Sequence, residues 1–369
     1  MINLSGPDIT DREIELVMEV LHSNQLGLGP KMVEFEERIA DYVGAKYAVS
    51  CNSGTSGLHM LVHAMGIKDG DEVITTPFSF VASSNSILFE RAKPVFVDIE
   101  PDTYNIDPDL IESKITHKTK AILPVHVFGQ PANMDKIREI ANKYSLKIIE
   151  DSCEAIGSRW NGRMAGTLGD AGVFAFYPNK QITTGEGGII VTDNEELATV
   201  CRSLRNQGRG TDNNWLHHIR LGWNYRMDEL SAALGIAQLE RINEILEARR
   251  RVAGDYIQKL SDVHGVVLPT IHPMADMSWF VFVIRFLPEI NRDKVMSELQ
   301  QQNIGCRQYF EPIHLQPFYR EMFGFKEGDF PVTEMVASGT LAIPFYNHLR
   351  EQQIDTVVRA IQEAIKHQN

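Results

Sequence analysis

The sequence has few of the residues that would indicate a disulfide framework, a membrane span or a polyanion-binding surface. Its four cysteines are scattered over 369 residues without a CxxC pair, which argues against a disulfide scaffold, a zinc ribbon and a four-cysteine iron–sulfur site. The longest apolar runs, at residues 121–125 and 279–284, are far shorter than the roughly 20 residues that span a bilayer. With 36 basic and 49 acidic side chains, the net charge of −13 disfavours a surface that binds nucleic acid or an anionic membrane.

The remaining composition is that of a globular protein. Hydrophobic residues make up 43% of the chain and charged residues 23%, which is enough apolar material for a full core. The length predicts about two domains. Residues 1–10 lack the basic start and apolar stretch of a signal peptide, so we expect a cytoplasmic protein with reduced cysteines and no metal site.

Between about residues 50 and 192, short apolar runs alternate with helical patterns. Strands are predicted at residues 72–76, 94–98, 120–125, 146–151, 171–176 and 188–192, and helices at residues 56–65 and 133–144. This alternation predicts an α/β fold, with a mainly parallel central sheet flanked by helices. In such sheets ligands bind beyond the carboxyl ends of the strands.

From residue 227 the pattern changes to one long helical stretch that extends to residue 260. A strand is predicted at residues 278–286, and helices at residues 291–302 and 354–365. We therefore divide the chain into a large domain, residues 1–244, whose N-terminal segment lies partly on the substrate side, and a smaller C-terminal α+β domain, residues 245–369. The boundary falls inside a helix.

Three segments at predicted strand ends carry residues suited to chemistry. Small residues at 51–57 precede a helix, where backbone N–H groups can converge on an anion; the alternative is an ordinary N-cap by Ser53 or Thr55. Asp151 ends a buried strand, where a carboxylate needs a partner such as a protonated ring nitrogen. The alternatives for Asp151 are a helix N-cap and a buried ion pair.

The third segment, residues 174–188, places Lys180 between an aromatic strand and a glycine-rich turn. A lysine among apolar neighbours can become a nucleophile for carbonyl groups, although a solvated surface lysine is the alternative. Together the three segments supply partners for the phosphate, the pyridine nitrogen and the aldehyde of pyridoxal 5'-phosphate (PLP). Phe80 is suited to stacking on the ring of this cofactor or, alternatively, to the core.

Motifs elsewhere in the chain extend this pattern to nearly the whole length. The sequence resembles the sugar aminotransferases of the DegT/StrS type, which are PLP enzymes of fold-type I related to aspartate aminotransferase. The resemblance rests on separated motifs in the family order, at residues 53–55, 70–74, 94–98, 150–151, 180, 184–188, 222–227 and 309–314.

The resemblance implies roles for the residues of the cofactor site. Lys180 would form the Schiff base with the cofactor and later move the proton between cofactor and substrate carbons. Asp151 would pair with the pyridinium nitrogen, and Phe80 would lie against the ring. The phosphate would be bound by Ser53, Gly54 and Thr55.

Other residues are assigned by the same resemblance to the substrate side or to a subunit interface. Asn224 would reach the phosphate site of the neighbouring subunit, which predicts a homodimer with shared active sites. Arg226, Tyr309 and His314 match positions that face the substrate. The alternative for Asn224 and Arg226 is a cap and first-turn contact of the helix that follows.

Two positions depart from the family pattern. Ala175 stands where the family often has a serine that binds phosphate, so one hydrogen bond is missing or comes from elsewhere. Glu154 stands near the ring oxygen of the cofactor, where many members have glutamine. Lys180 is retained, which argues against a PLP-dependent sugar dehydratase because related dehydratases can carry histidine there.

The resemblance predicts transfer of an amino group from L-glutamate to a keto-sugar, for aminosugar or polysaccharide biosynthesis. The favoured acceptor is a nucleotide-linked 4-keto-6-deoxyhexose. Alternatives are a 3-keto sugar or an inosose, a dehydratase or epimerase, and a non-catalytic PLP-binding regulator, for which the sequence offers no DNA-binding motif. Basic side chains that could bind a sugar diphosphate, or could be solvated surface charges, are Lys31, Arg159, Arg163 and Arg307.

Overall fold

The computed structural model describes residues 1–210 and 216–368, which form an α/β fold. The strands in chain order are β1 (Tyr47–Cys51), β2 (Glu72–Thr75), β3 (Lys93–Phe96), β4 (Thr119–Ile122), β5 (Lys147–Asp151), β6 (Arg159–Trp160), β7 (Arg163–Met164), β8 (Ala171–Ala175), β9 (Gly188–Thr192), β10 (Val266–Val267), β11 (Ala275–Asp276), β12 (Phe282–Phe286) and β13 (Thr340–Ile343).

The α-helices begin and end at residues fixed largely by side-chain caps and glycines. They are α1 (Asp11–Ser23), α2 (Pro30–Val43), α3 (Gly54–Ala64), α4 (Ala82–Phe89), α5 (Pro108–Ile111), α6 (Met134–Tyr144), α7 (Glu195–Arg205), α8 (Glu229–Glu240), α9 (Ile242–Leu260), α10 (Arg292–Gln301), α11 (Pro317–Phe323), α12 (Pro331–Gly339) and α13 (Glu351–Lys366). The N-cap of α3 is Ser53, that of α7 is Asn194 and that of α8 is Asp228. The side chain of each accepts a backbone N–H of its helix. Within the described residues, none of the helices has the length and apolar character needed to cross a bilayer.

A seven-stranded sheet in the order β1-β9-β8-β5-β4-β2-β3 forms the centre of the fold. Strands β3, β2, β4, β5 and β8 run parallel, whereas β9 pairs antiparallel with both β8 and β1. The prediction of a mainly parallel sheet is confirmed. Because β1, β5 and β8 point the same way, the segments that follow them meet at one edge of the sheet.

Alternate residues of each central strand pack against different helical layers. In β9, Ile190 belongs to the cluster that includes Leu58 of α3, whereas Ile189 and Val191 belong to the cluster that includes Phe35 of α2. Side chains alternate across a strand, so an unbroken apolar run is what a strand covered on both faces requires. This explains why the apolar runs predicted these strands correctly.

The C-terminal part of the chain builds a second, smaller sheet. Strands β10, β12 and β13 pair antiparallel, and their side chains share a cluster with α9, α10 and α13. On α13 the apolar residues Ile354, Val357 and Ile361 recur at helical spacing and are fully buried. The proposed boundary after residue 244 falls inside α9 and stays a prediction.

Several elements differ from the sequence-based expectations. The long helix expected over residues 227–260 is two helices, α8 and α9, because Arg241 leaves helical geometry (φ −108°, ψ 9°). The strand expected at residues 278–286 is formed only from Phe282, since Trp279 has φ +56°, outside the β region. The elements that were not predicted are the strands β1, β6, β7, β10, β11 and β13 and the helices α1, α2, α4, α5, α7, α11 and α12.

A buried carboxylate next to Asp151 ties the end of β5 to two loops. Glu150 is fully buried, and its Oε2 lies 2.8 Å from Nε2 of the equally buried His126. Nδ1 of His126 accepts the Ala132 N–H at 3.1 Å, so Nε2 carries the proton and donates to Glu150. Glu150 also accepts the backbone N–H groups of Gly166, Leu168 and Gly169, at 2.8, 2.6 and 2.6 Å.

We expect Glu150→Gln to destabilise the protein by about 3 kcal/mol, because an amide nitrogen would replace an oxygen that accepts buried N–H groups. Urea unfolding of the variant measures this loss. The matched control is Glu139→Gln, the same change at an exposed position of α6. Equal unfolding midpoints for the two variants would contradict the structural role of Glu150.

Candidate active site

A cavity of about 490 Å³ opens at the sheet edge where β1, β5 and β8 end. This volume lies in the range of small-molecule and cofactor sites. Its lining includes the predicted residues Ser53, Gly54, Thr55, Phe80, Asp151, Glu154, Lys180 and Tyr309. The fold therefore brings together residues that the sequence places up to about 250 positions apart.

The first wall of the cavity is the start of α3. Ser53 Oγ accepts the Ser56 N–H at 3.1 Å, so Ser53 caps the helix and also lines the cavity. A Cβ atom at Gly54 would lie 2.7 Å from Cys153 Sγ and 2.8 Å from the Ala175 Cβ. Only glycine allows α3 to begin this close to β8, with its N-terminal N–H groups at the cavity, where they favour an anion.

The second wall carries Asp151, which is only 5% exposed. Its carboxylate accepts the Ser83 hydroxyl at 2.6 Å and the Cys153 N–H at 3.2 Å. In the part of the chain that the structure describes, Asp151 caps no helix and forms no ion pair, so neither alternative explanation for this residue holds. A buried carboxylate without a cationic partner is suited to bind a protonated ligand nitrogen.

The third wall carries Lys180, in the loop between β8 and β9. The Lys180 side chain is 13% exposed, with Nζ 3.8 Å from the centre of the Phe280 ring and 3.4 Å from Glu154 Oε1. The structure therefore excludes a solvated surface lysine. The Lys180 N–H donates to the Tyr177 carbonyl at 2.9 Å, which closes the turn that aims the side chain into the cavity.

Glu154 lies between the lysine and the interior. Its Oε2 accepts the Phe128 N–H at 2.9 Å, and the residue is 6% exposed. Burial raises the pKa of the Glu154 carboxyl, while the neighbouring Lys180 acts in the opposite direction. The carboxyl group is thus suited to exchange a proton at Lys180 Nζ.

Aromatic side chains form the rim of the cavity. Phe80 is 62% exposed, so it is not the core aromatic considered as an alternative. An apolar ring this exposed at a cavity mouth is suited to cover a planar ligand. Tyr309 stands nearby, and burial raises the pKa of its hydroxyl to about 12, which keeps it a neutral hydrogen-bonding group.

Sequence reasoning missed several residues of this site, and Ser83 and Phe280 are the two that contact its charged groups. Ser83 lies on α4 and reaches Asp151 only because β2 and β5 belong to one sheet. Phe280 comes from the segment before β12 and contacts Lys180 across about 100 residues of sequence. The only local indication of Ser83 in the sequence is the serine-rich stretch 79–86, and no local pattern indicates Phe280.

Asn224 and Arg226 do not line the cavity of their own chain. Asn224 is exposed, and Arg226 Nη1 donates to Asn206 Oδ1 at 3.1 Å. The helix-cap alternative for these two residues is wrong, because Asp228 accepts the Ser231 N–H and caps α8. A role in another subunit's site stays a prediction.

His314 lies away from the cavity, contrary to the expectation that it faces the substrate. It is fully buried, with Nε2 3.0 Å from Glu334 Oε1 and the rings of Phe325 and Phe330 packed around it. Burial lowers the pKa of its imidazole, despite the neighbouring Glu334 carboxylate. Its position along the chain matches the family motif, but its side chain belongs to the protein interior.

The four basic side chains considered for a sugar diphosphate also lie outside the cavity lining. Lys31 is paired with Glu34 at 3.5 Å. Arg159 and Arg163 donate to the backbone carbonyls of Gly162 and Thr167, and Arg307 is exposed. Within one chain, these four side chains therefore fit the alternative that they are solvated surface charges.

The three walls fit the chemistry of PLP. The N-terminus of α3, which can approach β8 only because residue 54 is glycine, suits the phosphate. The Asp151 carboxylate, which has no cationic partner, suits a protonated ring nitrogen. The buried Lys180 amine suits the aldehyde carbon. Ala175 lines the cavity beside Gly54 with a methyl group, so β8 contributes no side-chain hydrogen bond there.

Comparison with known proteins agrees with this geometry. Residues 7–362 match the model of the DegT/DnrJ/EryC1/StrS aminotransferase family. The chain is 39% identical to GDP-perosamine synthase of Caulobacter vibrioides, over 99% of this chain and 98% of that protein. It is 35% identical to UDP-2-acetamido-2-deoxy-3-oxo-D-glucuronate aminotransferase of Pseudomonas aeruginosa, over 94% of each chain.

A similar fold is found in the PLP form of Spr1654 from Streptococcus pneumoniae, with a TM-score of 0.94 at 26% identity over 99% of this chain and 98% of that one. Both the fold class and the cofactor expected from the sequence are therefore confirmed. The chain belongs to the DegT/DnrJ/EryC1/StrS aminotransferase family and is a PLP-dependent transaminase.

Proposed function

We propose that this protein transfers the amino group of L-glutamate to a nucleotide-linked keto-sugar, with a 4-keto-6-deoxyhexose as the favoured acceptor. The observation that carries the proposal is the buried Lys180 amine, which shares one cavity with the unpaired Asp151 carboxylate and the N-terminus of α3. The two relatives named above are, by name, a perosamine synthase and an oxo-glucuronate aminotransferase, so both point to sugar amination.

When bound, PLP supplies an electron sink that makes the hydrogen on the amine-bearing carbon acidic. Lys180 Nζ would hold the cofactor at its aldehyde carbon and, as the free amine, would move a proton between the substrate carbon and the cofactor carbon. Asp151, held by Ser83 and the Cys153 N–H, keeps the ring nitrogen protonated. Glu154 holds the lysine amine in place and exchanges its proton.

The acceptor is proposed from the family resemblance and from the names of the two relatives, one of which is a perosamine synthase. A nucleotide-linked 4-keto-6-deoxyhexose is the favoured acceptor, and a 3-keto sugar or an inosose is the alternative.

We also propose that the active sites are completed in a homodimer. The exposed apolar residues Leu216, Ile219 and Leu221 lie in the same segment as Asn224, and Phe80 is exposed at the cavity rim. Exposed apolar side chains grouped in this way are typical of protein interfaces. A second subunit that covers them would bring Asn224 toward the phosphate end of its neighbour's cavity.

For the donor reaction, we expect the wild-type protein with bound PLP to release 2-oxoglutarate from L-glutamate, with a change in the cofactor absorption band. Lys180→Ala removes the nucleophile and the proton carrier, so its rate should fall at least about a thousandfold. The control is Lys143→Ala, which removes an exposed lysine of α6.

Keto-sugars are then offered to the aminated enzyme as acceptors. A nucleotide-linked 4-keto-6-deoxyhexose should restore the original absorption band and yield an aminosugar. A deoxy-sugar product or free ammonia would identify a dehydratase instead. A PLP absorption band that changes with neither L-glutamate nor any of the keto-sugars would favour a non-catalytic regulator.

The shared site is tested by mixing two inactive variants, Lys180→Ala and Asn224→Ala, after each has been purified. Half of the dimers formed by random exchange contain one native site, so we expect about a quarter of the wild-type activity to return. If both residues acted within one subunit, every site in the mixture would lack one of them, and no activity would return.

A further inference from the structure

Arg249 of α9 is a buried cation in direct contact with the backbone of the reactive lysine. It is 3% exposed, and its Nη2 donates to the Lys180 carbonyl at 2.9 Å. Its Nη1 donates to the carbonyls of Phe280 and Trp279 at 3.3 and 3.4 Å. One guanidinium therefore joins the loop after β8 to the segment before β12.

The charge of this arginine is not neutralised by an ion pair. Among residues 1–210 and 216–368, no carboxylate lies within 4.0 Å of it, and its Nε has no hydrogen-bond partner. Burial lowers the pKa of Arg249 to about 10, which still leaves it protonated near neutral pH. Burying an unpaired charge is costly, and this cost is offset by the three carbonyls to which Arg249 donates and by the Phe345 ring, whose centre lies 5.4 Å from Arg249 Cζ.

Arg249 binds the backbone of two residues, Lys180 and Phe280, whose side chains contact each other in the cavity. Lys180 Nζ lies 3.8 Å from the centre of the Phe280 ring, and Arg249 binds the carbonyl of each of these two residues. Trp279, directly before Phe280, has φ +56°, a conformation that is unfavourable for a bulky side chain. The hydrogen bond from Arg249 to the Trp279 carbonyl helps to hold this backbone.

We propose that Arg249 is a positioning residue of the transamination site, which fixes the backbone of Lys180 and Phe280 so that Lys180 Nζ stays on the Phe280 ring and within reach of Glu154. This inference rests on the proposed role of Lys180. Arg249 itself does not line the cavity, and it acts through the lysine.

The test compares Arg249→Met and Arg249→Lys with Arg250→Met, which alters the next residue of α9, an exposed side chain paired with Glu247. Each PLP-loaded protein is titrated with pH while its cofactor band is recorded. The maximal rate (kcat) and the half-saturating concentration (KM) are then measured for the single-turnover conversion of this band by L-glutamate. Circular dichroism reports folding.

In Arg249→Met we expect kcat to fall about 10- to 100-fold, because a displaced lysine reacts slowly, while KM changes less than about threefold. The midpoint of the band titration should rise, since the positive charge held on the Lys180 carbonyl is removed. Arg249→Lys keeps the charge but not the three hydrogen bonds. We therefore expect a wild-type midpoint for the band titration and a kcat between those of wild type and Arg249→Met. Arg250→Met should behave as wild type.

Wild-type kcat and a wild-type titration in both Arg249 variants would overturn the proposal. If Arg249→Met does not fold, Arg249→Lys decides by its kcat alone. If neither variant folds, Arg249 serves stability and the proposal is wrong. A wild-type protein that shows no cofactor band would instead refute the proposed function on which this inference rests.

Discussion

The burial of the Lys180 amine against the Phe280 ring and the Glu154 carboxylate is the constraint on which the rest of the site depends. A lysine this buried needs an acceptor nearby, and a buried glutamate needs donors of its own, which the Phe128 N–H supplies. The loop after β4 and the end of β5 are therefore fixed together with the lysine. Asp151 stands three residues before Glu154, so the same arrangement also fixes the position of the Asp151 carboxylate.

Sheet order makes this arrangement possible. β5 pairs with β8, so the acidic end of one strand and the lysine loop after the next open at the same edge. β9 returns antiparallel and places Gly188 opposite Cys51, against the turn that begins α3. A Cβ at Gly188 would lie 2.5 Å from the Ser53 backbone, so only glycine lets β9 lie this close to the turn that begins α3. The aromatic partner of the lysine comes from the C-terminal part of the chain.

The residues that the sequence could identify are those with a local reason for their position. Asp151 and Lys180 each follow an apolar run at a strand end, and both line the cavity. Phe280, Ser83 and Arg249 could not be identified, because their roles depend on contacts with residues far away along the chain. His314 shows the converse: its position in a family motif says nothing of where its side chain lies, which is inside the protein.

Chemical mapping of the attachment site shows directly whether Lys180 is the residue that holds the cofactor. The PLP-loaded protein is reduced with borohydride, which makes the link to the lysine permanent, then digested and analysed by mass spectrometry. We expect the cofactor mass on the peptide that contains Lys180. A cofactor attached to any other lysine, or to none, would contradict it.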